Sequence, residues 1–173
     1  MGRFMKISAG KVMLILAWIA GIILATQFFG GFEKRQHNPN AQPVMAQGAG
    51  YVEVQLQPNR QNHFVLSGSI NGYPVDFLLD TGATDVAVPQ ALASTFGLTR
   101  GAALTLNTAN GQSVGYRTQI AQLKLGAIEL NNVRALVAPG MQGNQVLLGM
   151  SALKQLEFTQ RAGILVLRHY TDN

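Results

Sequence analysis

The sequence predicts an all-β domain, a single closed barrel or sandwich with one or two short helices, preceded by one transmembrane helix. Three observations predict it. From Tyr51 onward, apolar residues alternate with polar ones or gather in short runs broken by turn formers, the mark of strands set against a core. Asn71-Gly72 and Asn110-Gly111 are the preferred residues of two-residue hairpin turns. Val12 to Phe29 is an uncharged apolar run of 18 residues. As a helix that run extends about 27 Å, enough for a bilayer core.

The expected organisation is a basic N-terminal segment (1–11), a transmembrane anchor (12–29), a flexible linker (30–50) and the folded domain (51–173). A cleaved signal peptide would carry a shorter apolar run with a small-x-small site close behind it. Gln27-Phe28-Phe29 stands at that place, so an uncleaved anchor is expected. Arg3, Lys6 and Lys11 precede the span, and Lys34 and Arg35 follow it. That margin of one basic side chain puts the N-terminus inside and the domain outside. Gly30-Gly31, Pro39, Pro43 and many Gln and Asn make 30–50 read as a linker with little that packs.

Charge excludes one class of partner. Of the net charge of +5, residues 1–50 hold five basic side chains against Glu33, and the remaining residues are nearly neutral. A nucleic-acid-binding face on the domain is therefore not expected. The chain has no cysteine, which removes disulfides and thiolate metal sites. No phosphate-cradling glycine loop and no metal-ligand spacing is present, so neither a metal nor an organic cofactor is called for.

In order along the domain, residues 51–57 alternate, with Val52, Val54 and Leu56 on one face. Residues 63–70 form a second strand, and Asn71-Gly72 turns it into an apolar strand ending at Asp80. Pro89 to Gly97 reads as a short helix, with Pro at its start and Gly at its end. Strands around 104–106 and 113–125 flank the tip 107–112, and 128–137 follows as another strand. Gln145 to Leu148 is an apolar strand that meets Gly149 and a second short helix, and strands at 156–158 and 164–168 close the chain.

The residues of chemical interest lie at V-D-F-L-L-D-T-G-A-T-D-V-A-V-P, positions 75–89. A carboxylate at the inner end of a buried strand needs partners, because burying it alone is costly. Gly82, lacking a Cβ, lets the backbone approach Asp80 and aim N–H groups at it. Two readings follow: a turn in which Asp80 accepts bonds from its own loop, or a fixed general acid or base. Asp76 is about 13 Å from Asp80 along an extended strand and is not its partner. Asp85 is a loop-bonding or substrate-pocket residue.

Phe77-Leu78-Leu79-Asp80-Thr81-Gly82-Ala83, followed by an apolar segment, resembles the active-site loop of retropepsin-type aspartic proteases, in the bacterial membrane-anchored form. The resemblance runs over roughly 51–170 and is strongest at this loop and at 146–153. It implies that Asp80 is catalytic, that Thr81, Gly82 and Ala83 support the loop, and that Gly82 offers its N–H to the carboxylate. It also implies that Thr108, Ala109, Asn110 and Gly111 form a flap over the substrate, where the plain reading is a surface hairpin. Gly149 would pack beneath the catalytic loop. One such loop per chain implies a homodimer, with Asp80 of each copy sharing a proton on the twofold axis.

Two positions depart from the family pattern. Retroviral members carry an acidic residue where this chain has Thr84 and an Arg where it has Met150, and those two form a bracing ion pair. The competing reading is a non-catalytic, membrane-tethered adaptor that holds a peptide strand in the same groove.

Overall fold

The computed structural model describes residues 9–108 and 111–171 of the chain. They fall into two units, Met1–Gln36 and His37–Asn173. The first is the body of helix α1 (Ala9–His37), which buries none of its residues. It is long and apolar enough to cross a membrane. Apolar residues surround its axis on all sides, the pattern of a helix whose solvent is hydrocarbon or a protein core.

Among the described residues, the second unit is built from eleven strands and two one-turn helices. In chain order they begin with β1 (Val44–Gly48), β2 (Tyr51–Leu56), β3 (Val65–Ile70), β4 (Tyr73–Leu79), β5 (Val86–Pro89) and α2 (Gln90–Ala93). Then come β6 (Ala103–Thr108), β7 (Gly111–Leu125), β8 (Ile128–Ala138), β9 (Gln145–Leu148), α3 (Met150–Leu153), β10 (Glu157–Arg161) and β11 (Ile164–Tyr170).

One sheet runs β3-β4-β9-β5-β8-β7-β6, and a further pairing of β3 with β7 closes it into a barrel with β6 outside the ring. The closing pairs are Ser69↔Lys124 and Ile70↔Leu123. Gly68 permits that approach, since a Cβ on it would overlap the Lys124 carbonyl oxygen. The Asn71-Gly72 turn has φ of 50° and 86°, the positive pair a tight hairpin requires. A second sheet, β1-β2-β11-β10, lies in register through Met45↔Val54, Leu167↔Val54 and Phe158↔Leu167. Alternation decides what is buried. Val54, Leu56 and Leu167 of the second sheet share one core with Leu66, Ile70, Phe77, Ile120, Leu123 and Leu148 of the barrel. The architecture agrees with the all-β barrel expected from the sequence, its two short helices included.

The segment 30–50 differs from its expectation. The helix does not end at Phe29 but continues to His37, so Gly30 and Gly31 are helical. Asn38 and Asn40 are buried, and β1 pairs with β2 from Val44↔Gln55 to Gly48↔Tyr51. Residues 38–50 are therefore no flexible linker, and the folded unit starts at His37 rather than Tyr51. The physical reason is that polar composition measures only what can be buried without partners, and here the partners exist. Asn40 donates through Nδ2 to the carbonyls of Gln57 (2.9 Å) and Val65 (2.7 Å), and its Oδ1 accepts the Gln57 N–H (2.7 Å). His37 itself is exposed, as its polar neighbours suggest.

Replacing Asn40 with Ala leaves the Gln57 N–H and the Val65 carbonyl without partners. The expected cost is about 3 kcal/mol, since each buried group left unpaired loses its full desolvation compensation. Denaturant unfolding of the full chain in detergent measures it, and a loss below about 0.5 kcal/mol, the range of an ordinary surface change, would contradict the clamp.

Candidate active site

Strand β4 ends at Leu79 because Asp80 turns away from the ladder after one last bond. Its N–H donates to the Leu148 carbonyl of β9 (3.2 Å), and its carbonyl accepts the Ala83 N–H (3.2 Å) to close the turn 80–83. The carboxylate folds back on this turn, with Oδ1 accepting the Gly82 N–H at 2.9 Å. A Cβ on Gly82 would stand 3.1 Å from that oxygen, so a side chain there presses on the carboxylate. Oδ2 accepts no hydrogen bond from the described residues. Thr81 and Gly82 are exposed, while Asp80 and Ala83 are half-buried. The loop therefore holds one carboxylate oxygen and presents the other.

The loop rests on the element that follows β9. Met150 N–H donates to the Ala83 carbonyl (2.8 Å) and Ser151 N–H to the Thr84 carbonyl (2.9 Å). Gly149 makes this possible. A Cβ on it would lie 2.7 Å from the Asp85 carbonyl carbon, 2.8 Å from the Ala83 oxygen, and closer still to the Asp85 oxygen. The parallel pairing of β4 with β9, from Asp76↔Gln145 to Leu79↔Leu148, brings the two loops side by side.

Sequence reading missed Ser151. Its hydroxyl accepts the Val86 N–H (3.0 Å) and donates to the Arg134 carbonyl (2.7 Å), joining the loop, α3 and β8 at one buried atom. A serine in the first turn of a short helix carries no pattern by itself, so only the tertiary fold reveals the bridge. Arg134 was missed as well. Its Nη2 meets Asp85 Oδ1 at 3.1 Å, a charge contact without hydrogen-bond alignment. Asp85 thus faces β8 at the loop's end. Thr84 and Met150 make backbone bonds here, the Met150 side chain packs against the core, and the ionic link sits one residue along from Thr84, at Asp85.

The remaining site residues fall elsewhere. Thr108 and Gly111 pair at the end of the β6–β7 hairpin, leaving a two-residue tip. Ala109 and Asn110, at that tip, lie outside the described residues. A cleft of about 610 Å³ opens between Gln90–Arg100 and Pro139–Gly143, away from the Asp80 loop. Among the described residues, no group of three His, Asp or Glu side chains converges to hold a metal.

The model of a family described as "gag-polyprotein putative aspartyl protease" matches residues 66–155, more than half of the chain and the whole of the loop-and-floor arrangement. The chain belongs to this family. A curated relative, an uncharacterized protein in the cobV 5' region of a Sinorhizobium species, is 31% identical over 125 residues, covering 70% of this chain. The match spans 54% of that relative, so this chain corresponds to about half of its length. Among solved structures, a retropepsin-like aspartic protease from Rickettsia conorii superposes with a TM-score of 0.58 at 22% identity, covering 74% of this chain and 96% of that one. The fold of this aspartyl protease family member is thus retropepsin-like. EIAV protease, in complex with the inhibitor HBY-793, is 22% identical with a TM-score of 0.46, covering 57% of this chain and 92% of that one.

Proposed function

We propose that the chain is a membrane-anchored aspartic endopeptidase whose active site forms between two copies. The observation that carries this reading is the Asp80 turn, with one carboxylate oxygen fixed by Gly82 N–H and the other open on an exposed loop. A single carboxylate cannot hold a proton to give and a vacancy to fill at once. Two of them about 3 Å apart can, because like charges force one proton to be shared. Asp80 of one protomer then takes a proton from water, while Asp80 of the partner subunit protonates the peptide carbonyl oxygen. The water oxygen bonds to the carbonyl carbon, the C–N bond breaks, and the leaving amine recovers a proton from the dyad.

By resemblance, Thr81 locks the two loops across the axis, and the hairpin ending at Thr108 and Gly111 closes over an extended substrate. Helix α1 is the anchor, with Arg3, Lys6 and Lys11 on the inner side and the domain in the periplasm. Tethering both chains to one membrane raises their effective concentration and favours the dimer.

The test is cleavage of a denatured-protein peptide library by the full chain in detergent, from about pH 3 to 7. A shared-proton dyad predicts cutting that peaks on the acid side and disappears once both carboxylates ionise. A folded protein that binds extended peptides and cuts none across this range would instead be the adaptor.

A further inference from the structure

Two strands carry the site, β4 to Asp80 and β9 to Gly149, and the residues that directly follow the apolar span meet both strands where their parallel pairing begins, at Asp76 and Gln145. Asn38 Nδ2 donates to Asp76 Oδ1 (2.9 Å) and to Ser67 Oγ (2.9 Å), and Ser67 Oγ donates to the same Asp76 oxygen (2.6 Å). Asn38 Oδ1 accepts the Asn40 N–H (2.9 Å), which fixes the direction of the amide. The His37 ring reaches the Gln145 side chain at 3.5 Å, and its carbonyl accepts from Asn59 Nδ2 (3.2 Å). Asp76 and Gln145 are the first pair of the parallel β4–β9 ladder, and Leu79↔Leu148 is the last. The next bond beyond that ladder is Asp80 N–H to Leu148 carbonyl.

The ladder is four residue pairs long, and from Asp76 to Asp80 it is about 13 Å of extended chain that cannot stretch. A displacement of its far end is therefore passed along to Asp80 rather than absorbed. We propose that Asn38 is a positioning residue, and that the Asn38–Ser67–Asp76 cluster sets where β4 and β9 deliver Asp80 and Gly149. This deepens the protease reading and rests on it. The strap 37–40 is then part of the catalytic unit, and the site depends on residues far from it in sequence. The cluster has no task in the chemistry itself, since Asp76 lies too far along the strand to share a proton with Asp80.

The test uses the full chain in detergent with Asn38→Asp, Asp76→Asn and the two combined. Asn38→Asp keeps the acceptor for Asn40 N–H but sets a second carboxylate against Asp76. Amide exchange at Asp80 and Met150, whose bonds join the loop to β9 and α3, is expected to rise about tenfold. For a positioning role, kcat falls by about tenfold while KM stays within about twofold, because binding is kept and alignment is lost. The combined variant exchanges donor for acceptor, with an amide at position 76 giving to a carboxylate at position 38. It is expected to return both readouts to within about twofold of wild type. Should Asn38→Asp not fold, Asn38→Ala carries the same exchange readout without the added charge. Faster exchange confined to residues 38–40, 67 and 76, with Asp80 and Met150 unchanged, would overturn the proposal, as would a combined variant no better than Asn38→Asp. If the wild type cuts no peptide, the protease reading falls, while the exchange pattern still decides whether the strap positions the loop.

Discussion

Replacing Asp80 with Asn is expected to lower peptide cleavage by at least about a thousandfold, within the range that a positioned acid–base group contributes. The fold should be unaffected, which makes the substitution informative. Asn is nearly isosteric, and its amide oxygen still accepts the Gly82 N–H that now holds Oδ1 at 2.9 Å. What it lacks is a site for the shared proton, so a pair of amides can neither accept a proton from water nor donate one to the carbonyl, and a mixed carboxylate–amide pair cannot do both. The check is kcat/KM on a cleaved peptide together with the melting temperature of the same preparation. Unchanged melting with retained cleavage would remove Asp80 from the chemistry.

Gly149→Ala is expected to cost about 3 kcal/mol or more, at the upper end of what overpacking does, because the obstruction is backbone rather than a flexible side chain. The backbone of Gly149 itself is open to any residue, with φ −85° and ψ −177°. The cost is therefore steric and not conformational. The added methyl group meets the carbonyl groups of Ala83 and Asp85. Relief requires lifting the Asp80 loop from α3, which breaks the Met150 and Ser151 bonds beneath it. Against a typical total stability of about 5–15 kcal/mol, such a loss removes between about a fifth and more than half of the folding free energy. Denaturant unfolding of the full chain measures it, and stability equal to wild type would contradict the packing described.

Much of this arrangement is legible in the sequence. The strands show themselves through two-residue alternation, and the Asn71-Gly72 turn through a backbone requirement that few residue pairs meet. Asp80 stands out because a carboxylate closing an apolar strand demands an explanation. What stayed hidden depends on tertiary partners. Asn38 and Asn40 look like linker residues, since nothing local shows that Asp76, Gln57 and Val65 lie within reach. The bridge through Ser151 joins residues 65 and 17 positions away, and the Arg134 contact to Asp85 spans two strands. At Thr84 and Met150, where the chain departs from the family pattern, the loop has two backbone bonds, and its ionic contact comes from the neighbouring Asp85. Local pattern reports what a residue does to its own backbone, and it is silent on a polar side chain whose partner is distant in sequence.

The central claim is that the working site takes one Asp80 from each of two chains. It is tested most directly by mixing wild type and Asp80→Asn in equal amounts, dissociating them in detergent and reconstituting them together at a fixed total concentration. With one carboxylate supplied by each copy, only pairs of two wild-type chains are active, and cleavage falls to about one quarter of the all-wild-type value. Cleavage at about one half would mean that each chain works alone, and would contradict the account.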